Sequence, residues 1–177
     1  MTRSLTSHVH RLRQVTIAAA LTLALLASSR PVGAGIADSP LPVLVAGETT
    51  LHLYSVTGLI SGVGGLGTFF SCTSTDTASM QVGVEVFFAP GGAPANDAVA
   101  TSLAVAPGAT VIFGTSAAVG IVIYSNLGAG ILSQGSARIL ATSRKLICTA
   151  YIADASNAPP ASSWHLNVIK KKTQKGV

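Results

Sequence analysis

Along "MQVGVEVFF", residues 80–88, two kinds of position alternate. Met80, Val82, Val84, Val86 and Phe88 share one side, and Gln81, Gly83 and Glu85 share the other. Successive side chains of an extended backbone point to opposite faces. A period of two therefore predicts a half-buried strand, with Val82, Val84 and Val86 facing a core and Glu85 on a polar side. Short runs rich in β-branched and aromatic residues recur at 51–56, 68–73, 99–105, 110–114, 120–124, 137–141, 146–153 and 164–170. Glycine, proline and asparagine punctuate them, in "APGGAPAND", at Pro107-Gly108, and at Asn157 with Pro159-Pro160. These residues supply the backbone angles that turns require. No helical period exceeds two turns after the first thirty-odd residues, 116–120 being the one place where a short one fits. The pattern predicts an all-β fold: a single antiparallel β-sandwich of about seven to nine strands over 49–172. An extended lead-in with Pro40 and Pro42 precedes it over 35–48, and a basic tail follows at 173–177.

The beginning of the chain is written differently. Arg3, Arg11 and Arg13 precede "VTIAAALTLALLA", residues 15–27, with no acid among them. A membrane span needs about 20 apolar residues, whereas a signal-peptide core needs about 7–15 behind a basic end. Small residues follow, and Val32-Gly33-Ala34 suits cleavage after Ala34; Gly35-Ile36-Ala37 is the second candidate. Residues 1–34 are therefore expected to be a signal peptide, with export to the periplasm or the cell exterior and no membrane span after processing. No cysteine follows the apolar core, which argues against a lipid anchor. An uncleaved anchoring helix is the alternative.

Composition changes this picture little. Charged residues are 10% of the chain and hydrophobic ones 49%, at a mean hydropathy of +0.57. General disorder needs the reverse balance. The net charge of +5 is concentrated at the start, where Arg3, Arg11, Arg13 and Arg30 lie. From Asp38 onward the bases Arg138, Arg144, Lys145, Lys170, Lys171, Lys172 and Lys175 face the acids Asp38, Glu48, Asp76, Glu85, Asp97 and Asp154. Such a near-neutral body lacks the phosphate-neutralising footprint of a nucleic-acid binder. The lysines of "KKKTQKGV" suit a solvated end that blunts a strand edge, or contact with an anionic surface.

Candidate chemistry is sparse. "GVGGLG", residues 62–67, matches a dinucleotide-binding glycine pattern, but such a loop must open a helix whose amides hold the pyrophosphate. Here it runs into the strand-like "TFFSCTS" and is expected to be an inter-strand loop. His52 and His165 alternate with apolar neighbours and are expected on polar, solvated faces. They form no recognisable zinc set, and no nucleophile-elbow, metalloprotease or calcium-loop motif occurs. No catalytic residue, metal site or cofactor is expected. Candidate ligand loops are 90–97, with Pro90, Asn96 and Asp97, and 157–164, with Trp164 as an aromatic platform; for Trp164 core or edge packing at a strand start is the favoured alternative.

Cys72 and Cys148 are the only cysteines. A nucleophilic thiolate needs a base and an electropositive setting, and a metal needs more ligands than these. Both cysteines fall on the apolar sides of predicted strands, and an exported chain meets an oxidising compartment. A Cys72–Cys148 disulfide is expected, with two buried free thiols as the rival.

The segment "QGSARILATSRKLICTAYIADASNAPPASSWHLNVIKKKTQKGV", and more loosely "VGVEVFFAPGGAPAND" and "VAPGATVIF", resembles small exported bacterial proteins of unassigned function. The resemblance implies a β-rich secreted domain and supplies no catalytic residues. The expected function is an exported non-catalytic module, structural or interacting, at the surface or in the envelope with a protein partner. The alternatives are a carbohydrate or small-ligand binder and, third, a hydrolase with a dispersed Ser/His/Asp triad.

Overall fold

A computed structural model describes residues 35–37 and 39–171. The chain divides into two units, Met1–Gly33 and Ala34–Val177, and the described residues belong to the second. The expected signal peptide and the tail at 173–177 lie outside the described residues.

Ten strands follow one another: β1 (Leu51–Ser61), β2 (Leu66–Ser74), β3 (Met80–Phe88), β4 (Leu103–Val105), β5 (Thr110–Gly114), β6 (Ser125–Asn126), β7 (Leu132–Ala141), β8 (Leu146–Asp154), β9 (Ser163–Leu166) and β10 (Val168–Lys170). There is no helix among the described residues. Pairing makes two limbs. One runs β4-β3-β7-β1-β10 and the other β9-β8-β2-β5-β6. The limbs join at the β1–β2 turn, where Ser61 faces Gly67. Residues 163–170 join them again, since β9 pairs with β8 and β10 with β1. The result is one mixed, nearly closed, barrel-like sheet. A single core draws Val56, Val84 and Ile139 from the first limb and Phe70, Val111 and Ala150 from the second. The Tyr54 hydroxyl of β1 donates across it to the Leu146 carbonyl of β8.

Several expectations change. The ladders are not all antiparallel: β6 runs parallel to β5, with Phe113 opposite Ser125. Residues 120–124 form no strand; Ile123 lies near Gly114, and the Tyr124 amide donates to the Ile112 carbonyl at 2.9 Å just before β6 begins. Residues 97–101 are a turn, in which the Asp97 carboxylate accepts from the amides of Val99 and Ala100. The run at 164–170 breaks at Asn167, where the chain leaves one limb for the other.

The largest change concerns β3. Val82, Val84 and Val86 do face the core, with no solvent exposure. The opposite side is covered as well, so the strand is not half-buried. The lead-in lies over it, and Leu44, Ala98 and Leu140 make a second small core. A Cβ on Gly83 would sit 3.0 Å from Leu44 Cδ2 and 3.1 Å from the Ala98 carbonyl, so a larger residue would require the cover to give by a few tenths of an ångström. Glu85 is buried instead of solvated, while Phe88, expected inward, is 41% exposed where the strand runs out.

Candidate functional site

Arg138 on β7 lies in register with Glu85 on β3 and Ser55 on β1. Its Nε donates to the Glu85 carboxylate. Nη1 donates to the Ser39 carbonyl at 2.8 Å and the Ile36 carbonyl at 3.4 Å, and Nη2 to the Pro40 carbonyl at 2.8 Å. The guanidinium also lies 5.3 Å from the centre of the Phe87 ring. Burying a charge is tolerable only when it is paired and its remaining donors are used, and here they are. Three of the five N–H groups of this arginine thus pin the start of the lead-in across the first limb, while Nε holds Glu85.

Beside this latch the lead-in and β10 leave a cleft of about 480 Å³. Its walls are Ile36 and Ala37 of the lead-in, His52 and Ser55 of β1, and Ile169, Lys170 and Lys171. Residues three apart on a regular strand point to opposite faces. His52 and Ser55 share a face because β1 bulges: His52 pairs with Leu140 but Tyr54 pairs with Ile139, leaving Leu53 as the extra residue. Bulges of this sort re-aim side chains and are common beside functional sites.

The polar groups of the cleft fix their own roles. Lys171 Nζ lies 3.5 Å from His52 Nδ1. A lysine ammonium only donates, so Nδ1 accepts and the ring proton sits on Nε2. Nε2 lies 3.1 Å from the Tyr54 carbonyl and 3.0 Å from Ser55 Oγ, and donates towards both. Burial, then the charges of Lys171 and Arg138, push the His52 pKa below its ordinary value. With Nε2 as the donor, the ring directs its proton towards Ser55 and the Tyr54 carbonyl and its lone pair, on Nδ1, towards Lys171. A smaller hollow of about 370 Å³ lies on the other side of Ile36, over Thr57, Phe87 and Gln134.

The residues singled out in the sequence are dispersed. Cys72 and Cys148 lie directly opposite one another on β2 and β8, with Cα atoms 4.2 Å apart and sulfurs at disulfide distance. They are neighbours within one limb. Asn96 caps the free part of the β3 edge: its Oδ1 accepts from the Val86 amide and its Nδ2 donates to the Val84 carbonyl, both at 2.8 Å. Asp97 holds the turn described above, and Pro90 is exposed just beyond β3. Trp164 is 54% exposed on β9, the outer strand of the other limb, paired opposite Ile152. Asn157 donates to Asp154, which also accepts from the Ser156 amide at 2.8 Å. His165 is exposed, while His52 is half-buried in the cleft and not on a solvated face. The glycines of 62–67 form the β1–β2 turn, with Gly62, Gly64 and Gly65 at positive φ.

The Arg138 latch and the His52–Ser55–Lys171 group were not identified from the sequence. One signal for the second was present: in "LHLYSV" the adjacent Leu53 and Tyr54 break an otherwise alternating run, which is what a bulge does to a pattern. No group of three or more His, Cys, Asp or Glu side chains able to hold a metal occurs among the described residues. No helix among them is long and apolar enough to cross a membrane. The chain matches no protein-family model, no curated protein and no solved structure.

Proposed function

We propose that this chain is an exported, non-catalytic β-sandwich module that works by binding, at the cell surface or in the envelope. The two limbs would act as its two sheets, a view supported by their shared core and by the Tyr54–Leu146 bond between them. Export is supported by the basic and apolar start of the sequence, and the cysteine pair at disulfide distance is compatible with an oxidising compartment. One observation carries the non-catalytic part. The His52 nitrogen nearest Ser55 also lies 3.1 Å from the Tyr54 carbonyl, which can only accept, and this contact favours the tautomer protonated there, the wrong one for a general base.

A fluorophosphonate probe tests this directly: no labelling of Ser55 is expected, and stoichiometric labelling abolished by Ser55→Ala would replace the proposal with a hydrolase. Intact mass of protein recovered from periplasm or medium tests export, with a start at Gly35 expected and a start at Met1 contradicting it. A second reading, carbohydrate binding, is favoured by the exposure of Trp164 on an outer strand. Glycan-array binding lost in Trp164→Ala would establish it.

A further inference from the structure

The cleft between the lead-in and β10 is rich in donors and poor in acceptors. Lys171 has two N–H groups beyond the one directed at His52, and Lys170 also borders the cleft. Ser55 Oγ receives the His52 Nε2 proton, which leaves its own hydroxyl hydrogen for another acceptor. His52 itself has both ring nitrogens engaged. Among the described residues no carboxylate belongs to the wall. Among the described acids, Glu85 is buried against Arg138 and is taken up by that pair. Ile36 and Ile169 give the same cleft two aliphatic sides.

A group that only accepts, carries negative charge and continues into a short hydrocarbon matches this wall. We propose that the cleft is a binding site for a small aliphatic monocarboxylate, held by Lys171 and the Ser55 hydroxyl, with its chain between Ile36 and Ile169. The proposal rests on the binding-module reading above and names the ligand class for it. The carboxylate fits better than phosphate because the free side-chain donors identified in the wall are few, Lys171 and Ser55, and stand beside the aliphatic Ile36 and Ile169. Phosphate would need donors around three oxygens.

Calorimetric titration of the disulfide-intact protein with hexanoate, hexanamide and inorganic phosphate is the test. Hexanoate is expected to bind at least about tenfold more tightly than either of the others, as one charge-assisted contact is worth about that factor. Lys171→Met should weaken hexanoate by a similar factor and leave the melting temperature nearly unchanged, since that side chain is exposed. Ile169→Ser should weaken hexanoate without affecting phosphate. Equal binding of hexanamide, stronger binding of phosphate, full hexanoate affinity in Lys171→Met, or no hexanoate binding at all would each overturn the carboxylate site. Failure of the wider reading looks different: fluorophosphonate labelling of Ser55 would overturn the non-catalytic module whatever hexanoate does.

Discussion

β3 and β8 are each nine residues long and each present an alternating apolar side to the same core. Their outer sides differ completely. On β8, Leu146, Cys148, Ala150 and Ile152 are buried while Ile147 and Thr149 stand in solvent, as a half-buried strand requires. On β3, Gly83, Glu85 and Phe87 are buried as deeply as Val82, Val84 and Val86. Nothing within β3 explains this, because a charged residue such as Glu85 at an alternate position reads as solvent-facing. The difference is made by residues 35–48 and the turn at 97–101, which cover the first limb and leave that part of the second bare. The comparison teaches that a polar outer face can be the floor of a second, smaller interface, and that an ion pair there holds the covering segment as well as itself.

The comparison can be broken at its core first. Val84→Asp should destabilise by about 3 kcal/mol or more, because it buries an unpaired charge. Ile147→Asp, at a position 60% exposed on β8, should change stability by no more than about 0.5 kcal/mol. Denaturant unfolding of both variants checks the pair, and equal costs would mean that the facing of one strand is misassigned.

Arg138→Met removes one partner of a buried pair and should cost about 3–5 kcal/mol. Replacing both charges, Glu85→Leu with Arg138→Met, restores an apolar contact but leaves the Ser39 and Pro40 carbonyls without their donor. The double variant should therefore recover only part of the loss. Proteolysis near residues 36–40 should accelerate in both variants. Full recovery by the double variant would show that the arginine serves Glu85 alone and not the lead-in.

On the second limb the corresponding cross-link is covalent. Cys72→Ala with Cys148→Ala should cost roughly 2–4 kcal/mol, against a chain-entropy ceiling of about 4.5 kcal/mol for cysteines 76 residues apart. Thiol titration of the denatured, unreduced protein should find none, and two reactive thiols per chain would reject the bond.

The smallest effect is electrostatic. Asp76 accepts from Ser143 Oγ at 2.5 Å and from Lys145 Nζ at 3.1 Å, tying the β2–β3 turn to the β7–β8 turn. Those two hydrogen bonds, then the Thr77 amide, hold its pKa well below the ordinary 3.8. A carboxyl depressed in the folded state stabilises above its unfolded pKa and loses that contribution as pH falls through the folded value. Wild type should therefore melt slightly above Asp76→Asn at neutral pH, and the gap should close in acid. A gap that stays constant down to about pH 2 would remove the tether, since protonation would then cost nothing.

The sequence by itself determined the class of fold and most strand positions, because period two and turn residues are local signals. It placed Val82, Val84 and Val86 inward and Cys72 and Cys148 on apolar sides for the same reason: facing follows from residue parity along one strand. The predicted runs at 68–73, 110–114 and 146–153 lie within β2, β5 and β8. Only the tertiary structure decided what covers a face. Glu85 and Arg138 are 53 residues apart in the chain, and Arg138 meets Ser39 across 99. No spacing rule connects such positions, since their meeting depends on strand order and on where the lead-in lies. The same holds for Lys171 against His52, 119 residues apart. The bulge at Leu53 is the intermediate case. Its disturbance of the pattern is legible in "LHLYSV", but which face His52 and Ser55 come to share, and what meets them there, depends on pairing with β7 and β10. Local pattern sets each strand's parity, and long-range pairing chooses its neighbours.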